Sequence, residues 1–333
     1  MISVFGSVNM DLVAYVAAAP GRGETVTGRA FRMIPGGKGA NQAIAAARAG
    51  APVTFIGAVG DDAFGTRLRE TLLAAGVEVG HLRTVPGPSG VAHIVVDDEG
   101  GNSIIVVPGA NGRMTGPTEA ELAAIARTDV LLLQLELPLE AVVAAAREAK
   151  TIGGGDAEPY TVGAGPRPHA RAGGGTRGGS PVSVILTPAP ARPLPDELLG
   201  AVDVLVPNEH EAAAITGVAD PERALDALLE RVPEVVITLG ARGALYGSRD
   251  GERLHVPAVE VKAVDTTAAG DTFAGALAVA RAEGRPPAQA LRFAAAAAAL
   301  SVQREGASTS MPSRAEIEVL LAELDRDTAS RNA

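Results

Sequence analysis

The chain has 333 residues, 47% of them hydrophobic but only 3% aromatic, and a formal net charge of −10. That length allows one large α/β domain with a deep core of Ala, Val, Leu and Ile, or two smaller domains. An acidic balance without a basic block argues against a nucleic-acid partner, and the lack of cysteine excludes disulfides, thiolate metal sites and a thiol nucleophile.

Ile2–Phe5 opens the chain as a strand-like run with neither the basic region nor the long apolar stretch of a signal peptide. The longest apolar run near the C-terminus, Phe293–Leu300, is too short to span a bilayer, so the expected setting is cytoplasmic, without a membrane partner. Further strands are expected at Val53–Ala58, Val130–Leu135, Val182–Leu186, Val202–Val206 and Val235–Leu239. Between them lie expected helices at Gly39–Ala49, Ala63–Ala75, Glu119–Ala126, Leu139–Lys150, Glu209–Thr216 and Pro221–Arg231. This alternation predicts crossover connections and a mostly parallel sheet covered on both faces, an α/β fold. Asp271–Glu283, Ala288–Gln303 and Ser313–Asp325 read as closing helices packed beside the sheet. Two segments differ: Asp11–Met33 and Val91–Val107 alternate with a period of two around glycine turns, as hairpins of a small lid sheet over the cleft would. Residues 151–180 are rich in Gly, Pro and Arg and read as an exposed flexible insertion.

Five segments carry chemistry. Gly6-Ser7-Val8-Asn9-Met10-Asp11 follows the first strand, and open α/β sheets bind ligands beyond the carboxyl ends of strands. Asn9 and Asp11, two apart in extended chain, point the same way and suit vicinal hydroxyls. The dinucleotide glycines that an NAD enzyme would carry here are missing, which counts against a dehydrogenase. Pro35-Gly36-Gly37-Lys38-Gly39-Ala40-Asn41-Gln42 lacks the Ser or Thr that follows a P-loop Lys. Its glycines let backbone approach a polyol, and Asn41 can bond hydroxyls in both directions; a plain glycine turn before a helix explains the segment equally well. In Asn208-Glu209-His210-Glu211 the stronger local reading is a capping box. Thr238-Leu239-Gly240-Ala241-Arg242-Gly243 is a strand ending in a glycine turn, able to wrap a nucleotide. In Ala263–Phe273, the small residues Ala268, Ala269 and Gly270 let a phosphate reach unpaired helix-start amides, with Asp271 beside them as either a proton acceptor or merely an N-cap. The five histidines show no metal-ligand spacing.

Together these segments resemble the ribokinase-like (PfkB-type) family of carbohydrate kinases, and within it the ribokinases, over almost the whole chain. The most specific pieces are Gly36–Gln42, Gln134-Leu135-Glu136, Pro188-Ala189-Pro190-Ala191, Pro207-Asn208-Glu209 and Asp265–Phe273. The resemblance implies a single kinase domain, a three-layer α/β/α sandwich with a small β lid, pairing through the lid as a homodimer. It implies phosphorylation of D-ribose at its 5-hydroxyl by ATP, with Mg²⁺ and an activating K⁺. Asp271 would be the catalytic base, and the amides of Ala268, Ala269, Gly270 and Asp271 the anion hole. Asn9, Asp11, Gly37, Lys38, Gly39, Ala40, Asn41 and Glu136 would contact the sugar. Asn208 and Glu211 would serve phosphate and Mg²⁺; Thr238, Leu239, Gly240, Ala241, Arg242 and Gly243 would form the nucleotide loop, with Ala295 near adenine. Asp265, Thr267, Ser301, Arg304, Gly306 and Ser310 match the loop that holds the monovalent cation, largely through backbone oxygens.

Three departures stand out: the long stretch at 151–180, Thr187 where the family often has Asn, and Ala295 in place of a larger residue. Met10, bulky and apolar between Asn9 and Asp11, would favour 2-deoxyribose if it faced the 2-position. The competing readings are thus a kinase for 2-deoxyribose or another sugar or nucleoside, and a non-catalytic sugar-binding regulator. Retention of both Gly270 and Asp271 speaks against the regulator.

Overall fold

The computed structural model describes residues 1–153 and 181–331. The first half runs β1 (Ile2–Phe5), β2 (Asn9–Tyr15), β3 (Ala30–Gly36), α1 (Lys38–Arg48), β4 (Val53–Gly60), α2 (Ala63–Ala74), β5 (Glu78–Val85), β6 (Gly90–Val96) and β7 (Asn102–Val107). A 3-10 turn at Gly109–Arg113 leads to α3 (Glu119–Ile125), β8 (Val130–Leu133) and α4 (Leu139–Gly153). The second half holds β9 (Ser183–Leu186), α5 (Asp196–Leu199), β10 (Val204–Leu205), α6 (Glu209–Thr216), α7 (Pro221–Leu229), β11 (Glu234–Thr238), β12 (Ala244–Ser248) and β13 (Arg253–Val256). It ends on α8 (Ala269–Ala282), α9 (Pro287–Ser301) and α10 (Arg314–Arg331).

Nine strands form the main sheet in the order β13-β12-β11-β10-β9-β8-β1-β4-β5. Pairing is parallel except at the β11-β12-β13 edge, which is antiparallel. The central strands are continuous apolar runs because both faces are covered. One face packs on Ile44, Leu68, Phe273, Leu277 and Phe293 from α1, α2, α8 and α9, the other on Val142, Leu198, Leu225 and Leu228 from α4, α5 and α7. The expected three-layer arrangement is therefore present, and helix-sheet-helix burial of Ala, Val and Leu replaces the missing aromatic volume. The hairpin segments build a separate four-stranded sheet, β3-β2-β6-β7.

Differences from expectation have local causes. β5 escapes notice because it is an edge strand whose apolar residues are interrupted by Glu78, Gly80, His81 and Arg83. β13 is a short edge strand carrying Arg253 and His255, and β12, between it and β11, is a five-residue strand interrupted by Gly247. The strand expected to reach Leu135 stops at Leu133, since the Leu135 amide donates to Ala189 instead. α4 continues through 151–153, and the remainder of the expected insertion, 154–180, lies outside the described residues.

Two contacts set how α8 is held. Gly275 lies against α1 so closely that an added Cβ would sit 2.7 Å from both the Ala45 Cβ and the Gln42 carbonyl. Near its other end, Arg281 forms a buried two-pronged pair with Glu234 of β11, at 2.8 and 3.0 Å, and the Tyr246 hydroxyl donates to the same carboxylate. α8 is thereby fixed to α1 at its middle and to the sheet at its end.

Candidate active site

Chain order moves from β1 to β4 on one side and to β8 on the other, so a crevice opens where the sheet's winding reverses. The segments following β1, β8, β9, β10 and β11 all emerge at this carboxyl edge. They carry Ser7, Gln134 and Glu136, Thr187, and Asn208, while Thr238 ends β11. The N-termini of α1 and α8 close the floor.

Gly37 is the N-cap of α1 with φ at +93°, a conformation that glycine adopts without strain. Its turn places Lys38 and Asn41 at the crevice. Gly39 and Ala40, expected as sugar contacts, are placed beneath it: their amides donate to the Ser7 hydroxyl and carbonyl, and both are buried. Glu136 accepts from the Ser7 hydroxyl and, at 3.0 Å, from the Lys38 backbone.

α8 begins differently. Its N-cap is Ala268, at φ +59°, a non-glycine residue in the left-handed region with no side-chain cap. Asp271 therefore lies inside the first turn and is not the N-cap that local sequence allowed. Around Gly270 an added Cβ would meet nothing within 4 Å, so this helix start is open. Asp271 accepts from Asn41 Nδ2 and Gln42 Nε2, each at 3.0 Å. Gln42 in turn is locked: its Nε2 also donates to Thr187 Oγ1 at 2.9 Å, and its Oε1 accepts from Gln134 Nε2 at 2.6 Å. Thr187 donates to the Leu133 carbonyl, so the departure from Asn at this position keeps a polar anchor. Burial pushes the Asp271 carboxyl above its ordinary range, against the opposing pull of Lys38, Gln42 and Asn41.

Asn9 and Asp11 share one face of β2, while Met10 is fully buried in the core beneath. Asp11 lies over Gly36, where an added Cβ would come 2.3 Å from Asp11 Oδ2. Burial, then the charges of Glu136 and Asp271, raise Asp11 to about 7, partly offset by Lys38. Burial works against the charge on Lys38, but Asp271, Glu136, Glu211 and Asp11 outweigh it and raise its pKa. The four acidic groups and Lys38 thus form one electrostatic unit. Asn41 Oδ1, buried without a hydrogen-bond partner, offers an acceptor in the same cluster.

Asn208 and Glu211 do form the reciprocal capping box, Glu211 N to Asn208 Oδ1 at 2.8 Å and Asn208 N to Glu211 Oε2 at 2.9 Å. A parallel bridge joins Asn208 to Thr238, bringing these two nucleotide candidates together. Gly240, Ala241 and Arg242 are exposed on the following turn and Gly243 is half-buried, whereas the Leu239 side chain belongs to the core. The Arg242 guanidinium pairs with Glu209. Ala295 sits mid-α9, half-buried against the core.

Asp265 ties the two halves of the expected cation loop, accepting from the Thr267 and Gly306 amides at 2.8 Å each. Burial opposes its charge, but these bonds prevail and hold its carboxyl below the ordinary range. The Asp265 amide donates to the Val302 carbonyl, the Arg304 amide to the Ser301 carbonyl, and the Arg304 guanidinium turns away to Glu316. The Ser310 hydroxyl is buried and donates to Ala307. Among the described residues, no cluster of His, Asp and Glu side chains has the make-up of a metal site.

Sequence reasoning gave no role to Gln42, Gln134, Thr187, Ser7 or Asn111. Their signal is a polar side chain inside an otherwise apolar segment, which the structure converts into buried hydrogen-bonded networks.

The model of the pfkB family carbohydrate kinases matches residues 1–158 and 173–314. A ribokinase of Bacillus subtilis is 42% identical, covering 96% of this chain and 99% of its own length. A deoxyribokinase of Salmonella typhi is 35% identical over 94% of this chain and 95% of its own. The structure of Arabidopsis thaliana ribokinase complexed with ribose and ATP superposes with a TM-score of 0.83 at 33% identity, covering 96% of this chain and 98% of that one. A crevice with a held carboxylate at an open helix start, on a fold and sequence matched over almost the whole chain, leaves one conclusion: the chain belongs to the pfkB family of carbohydrate kinases.

Proposed function

We propose that this protein is a ribokinase, transferring the γ-phosphoryl of ATP to the 5-hydroxyl of D-ribose. The observation that carries this reading is Asp271: a carboxylate of raised basicity, clamped by Asn41 and Gln42, in the first turn of a helix whose N-cap, Ala268, supplies no side-chain cap. In this reading Asp271 takes the proton of the attacking hydroxyl, and the amides of Ala268 to Asp271 stabilise charge on the transferring group. Asn9, Asp11, Lys38, Asn41 and Glu136 hold the sugar. The Thr238–Gly243 turn holds the nucleotide, flanked by Ala295.

Mg²⁺ neutralises phosphate charge in this chemistry when bound. Asn208 and Glu211 suit it as outer partners, because each keeps an oxygen or amide beyond the capping box. The backbone carbonyls of Thr267, Arg304, Gly306 and Ser310 accept none of the hydrogen bonds found among the described residues, which supports a hard monovalent cation there, K⁺ as proposed, with Ser301 and Asp265 framing it. The small sheet acts as a lid. One of its faces exposes Phe31, Met33, Ile105 and Val107, and the edge strand β7 also exposes Ile104 and Val106 on the other, an apolar rim suited to pairing with a second copy as a homodimer. We also propose a cytoplasmic setting; no helix among the described residues is long and apolar enough to cross a membrane.

The test is kcat/KM for a panel of sugars with ATP. Met10 faces the core and removes nothing at the 2-position, so ribose is expected to exceed 2-deoxyribose roughly ten- to hundredfold, the effect of leaving a buried polar group unpaired. Met10→Ala should lower stability without changing that ratio. Equal or better use of 2-deoxyribose by the parent would sink the ribokinase reading.

A second expectation follows from the open space at Gly270. Gly270→Ala meets no protein atom within 4 Å and gains helix propensity, so stability should hold or rise by roughly 0.5–1 kcal/mol. If phosphate approaches this turn, the methyl group intrudes on it, and kcat/KM for ATP should fall at least tenfold. Unchanged kinetics would move the phosphate elsewhere.

A further inference from the structure

Asn9 is itself held by a residue that no motif singles out. The Val8 backbone amide donates to Asn111 Oδ1 at 3.1 Å. A backbone N–H can only donate, so this bond decides which end of the Asn111 side chain is oxygen. Asn111 Nδ2 then donates to the Val8 carbonyl at 3.0 Å and to Asn9 Oδ1 at 2.7 Å. The second bond decides Asn9 in the same way: its oxygen is committed to Asn111, and no other described residue accepts from its Nδ2. Turning the Asn9 amide over would set N–H against N–H. Both residues are buried, at 1% and 2% exposure, so water cannot relieve that conflict.

The surrounding backbone is shaped to this bond. Gly90, paired with Asn9 across β2 and β6, has no room for a side chain. A Cβ there would lie 2.3 Å from both Asn111 Nδ2 and Asn9 Oδ1. Asn111 itself stands on the Gly109–Arg113 turn directly after β7, so it ties the end of the small sheet to the β1–β2 connection.

We propose that Asn111 is a positioning residue for sugar recognition, fixing Asn9 so that its N–H₂ end, never its oxygen, addresses the sugar. This rests on the ribokinase reading, in which Asn9 contacts the substrate. A free asparagine can serve a donor or an acceptor. This one demands an oxygen lone pair, which a hydroxyl supplies and a methylene does not.

The test is a double-mutant cycle on steady-state kinetics with ribose and ATP. Asn111→Ala is expected to raise KM for ribose roughly ten- to hundredfold, with kcat and KM for ATP within about twofold of the parent. The Asn9→Ala and Asn9→Ala/Asn111→Ala variants should share the same ribose KM, since nothing remains for Asn111 to orient. Asn111→Asp, assayed at alkaline pH, keeps the shape and the acceptor for Val8 but donates nothing to Asn9. It should raise ribose KM like the alanine variant, and it carries the test if Asn111→Ala fails to fold. A parental ribose KM in Asn111→Asp, or losses that add in the double variant, overturns the positioning role while leaving the ribokinase reading intact. A parent that neither binds nor phosphorylates ribose overturns that reading, and the positioning role with it.

Discussion

Asp271→Asn should lower kcat by roughly 10²–10⁴-fold while the fold and ribose affinity survive. The replacement is isosteric, so the helix start and its amides stay in place; what disappears is the ability to take a proton. One amide oxygen can still accept from Asn41 or Gln42, but the new N–H₂ faces the other donor, so a small stability loss accompanies the kinetic one. The pH profile distinguishes a lost base from a disturbed site. In the parent, kcat should fall on the acid side with a midpoint above the ordinary carboxylate range, because burial raises Asp271. That midpoint belongs to the cluster, since Asp11 and Lys38 titrate in its field. In Asp271→Asn the residual rate should lose this acid limb. Near-parental turnover, or an unchanged limb, removes Asp271 from the role of base.

Asp11→Asn should stabilise the free enzyme at pH 8 by on the order of a few kcal/mol and give no such gain at pH 4. The sign follows from Asp11 lying at about 7 in the folded chain against an ordinary 3.8. A carboxyl raised by folding contributes fully below its unfolded value and becomes a penalty as pH climbs through its folded value. The penalty therefore builds between about pH 4 and pH 7, and a neutral amide escapes it. The same variant should bind ribose less well, as the carboxylate that burial and Glu136 make costly is the one offered to the hydroxyls. Urea midpoints at the two pH values, with and without ribose, check this. A variant less stable than the parent at pH 8 would show that Lys38 already compensates Asp11 in full.

The sheet was readable because its central strands are uninterrupted apolar runs separated by Ala-rich helices, a pattern that both-face burial imposes. β5 and β13 were not, since these edge strands are only partly buried and Glu78, Gly80 and Arg253 break their signal, and β12 was missed because Gly247 interrupts its short run. In the candidate site, Asn9, Asp11, Lys38, Asn41 and Asp271 announced themselves through glycine turns and helix starts. Gln42, Gln134 and Asn111 did not, because each acts through a bond to a residue more than 80 positions away in the chain. Sequence spacing reports neighbours along a strand or helix, whereas those bonds depend on which segments the sheet order brings side by side. Gly39 and Ala40 show another limit: they belong to the most specific motif, and their amides donate to the Ser7 turn, a use that no spacing reveals.

The contact of Gly275 with α1 has a consequence for how such an enzyme changes its substrate. Asn41, Gln42 and Asp271 ride on two helices that touch backbone to side chain and cannot slide apart without opening the core. Asn9 and Asp11 belong instead to β2, a strand of the separate small sheet. Of the side chains proposed to hold the acceptor, Asn9 and Asp11 therefore reside on a different sheet from the proposed base, while Lys38 and Asn41 share its helical support. Variation in the small sheet can therefore alter what Asn9 and Asp11 present without disturbing the packing that holds Asn41, Gln42 and Asp271 together.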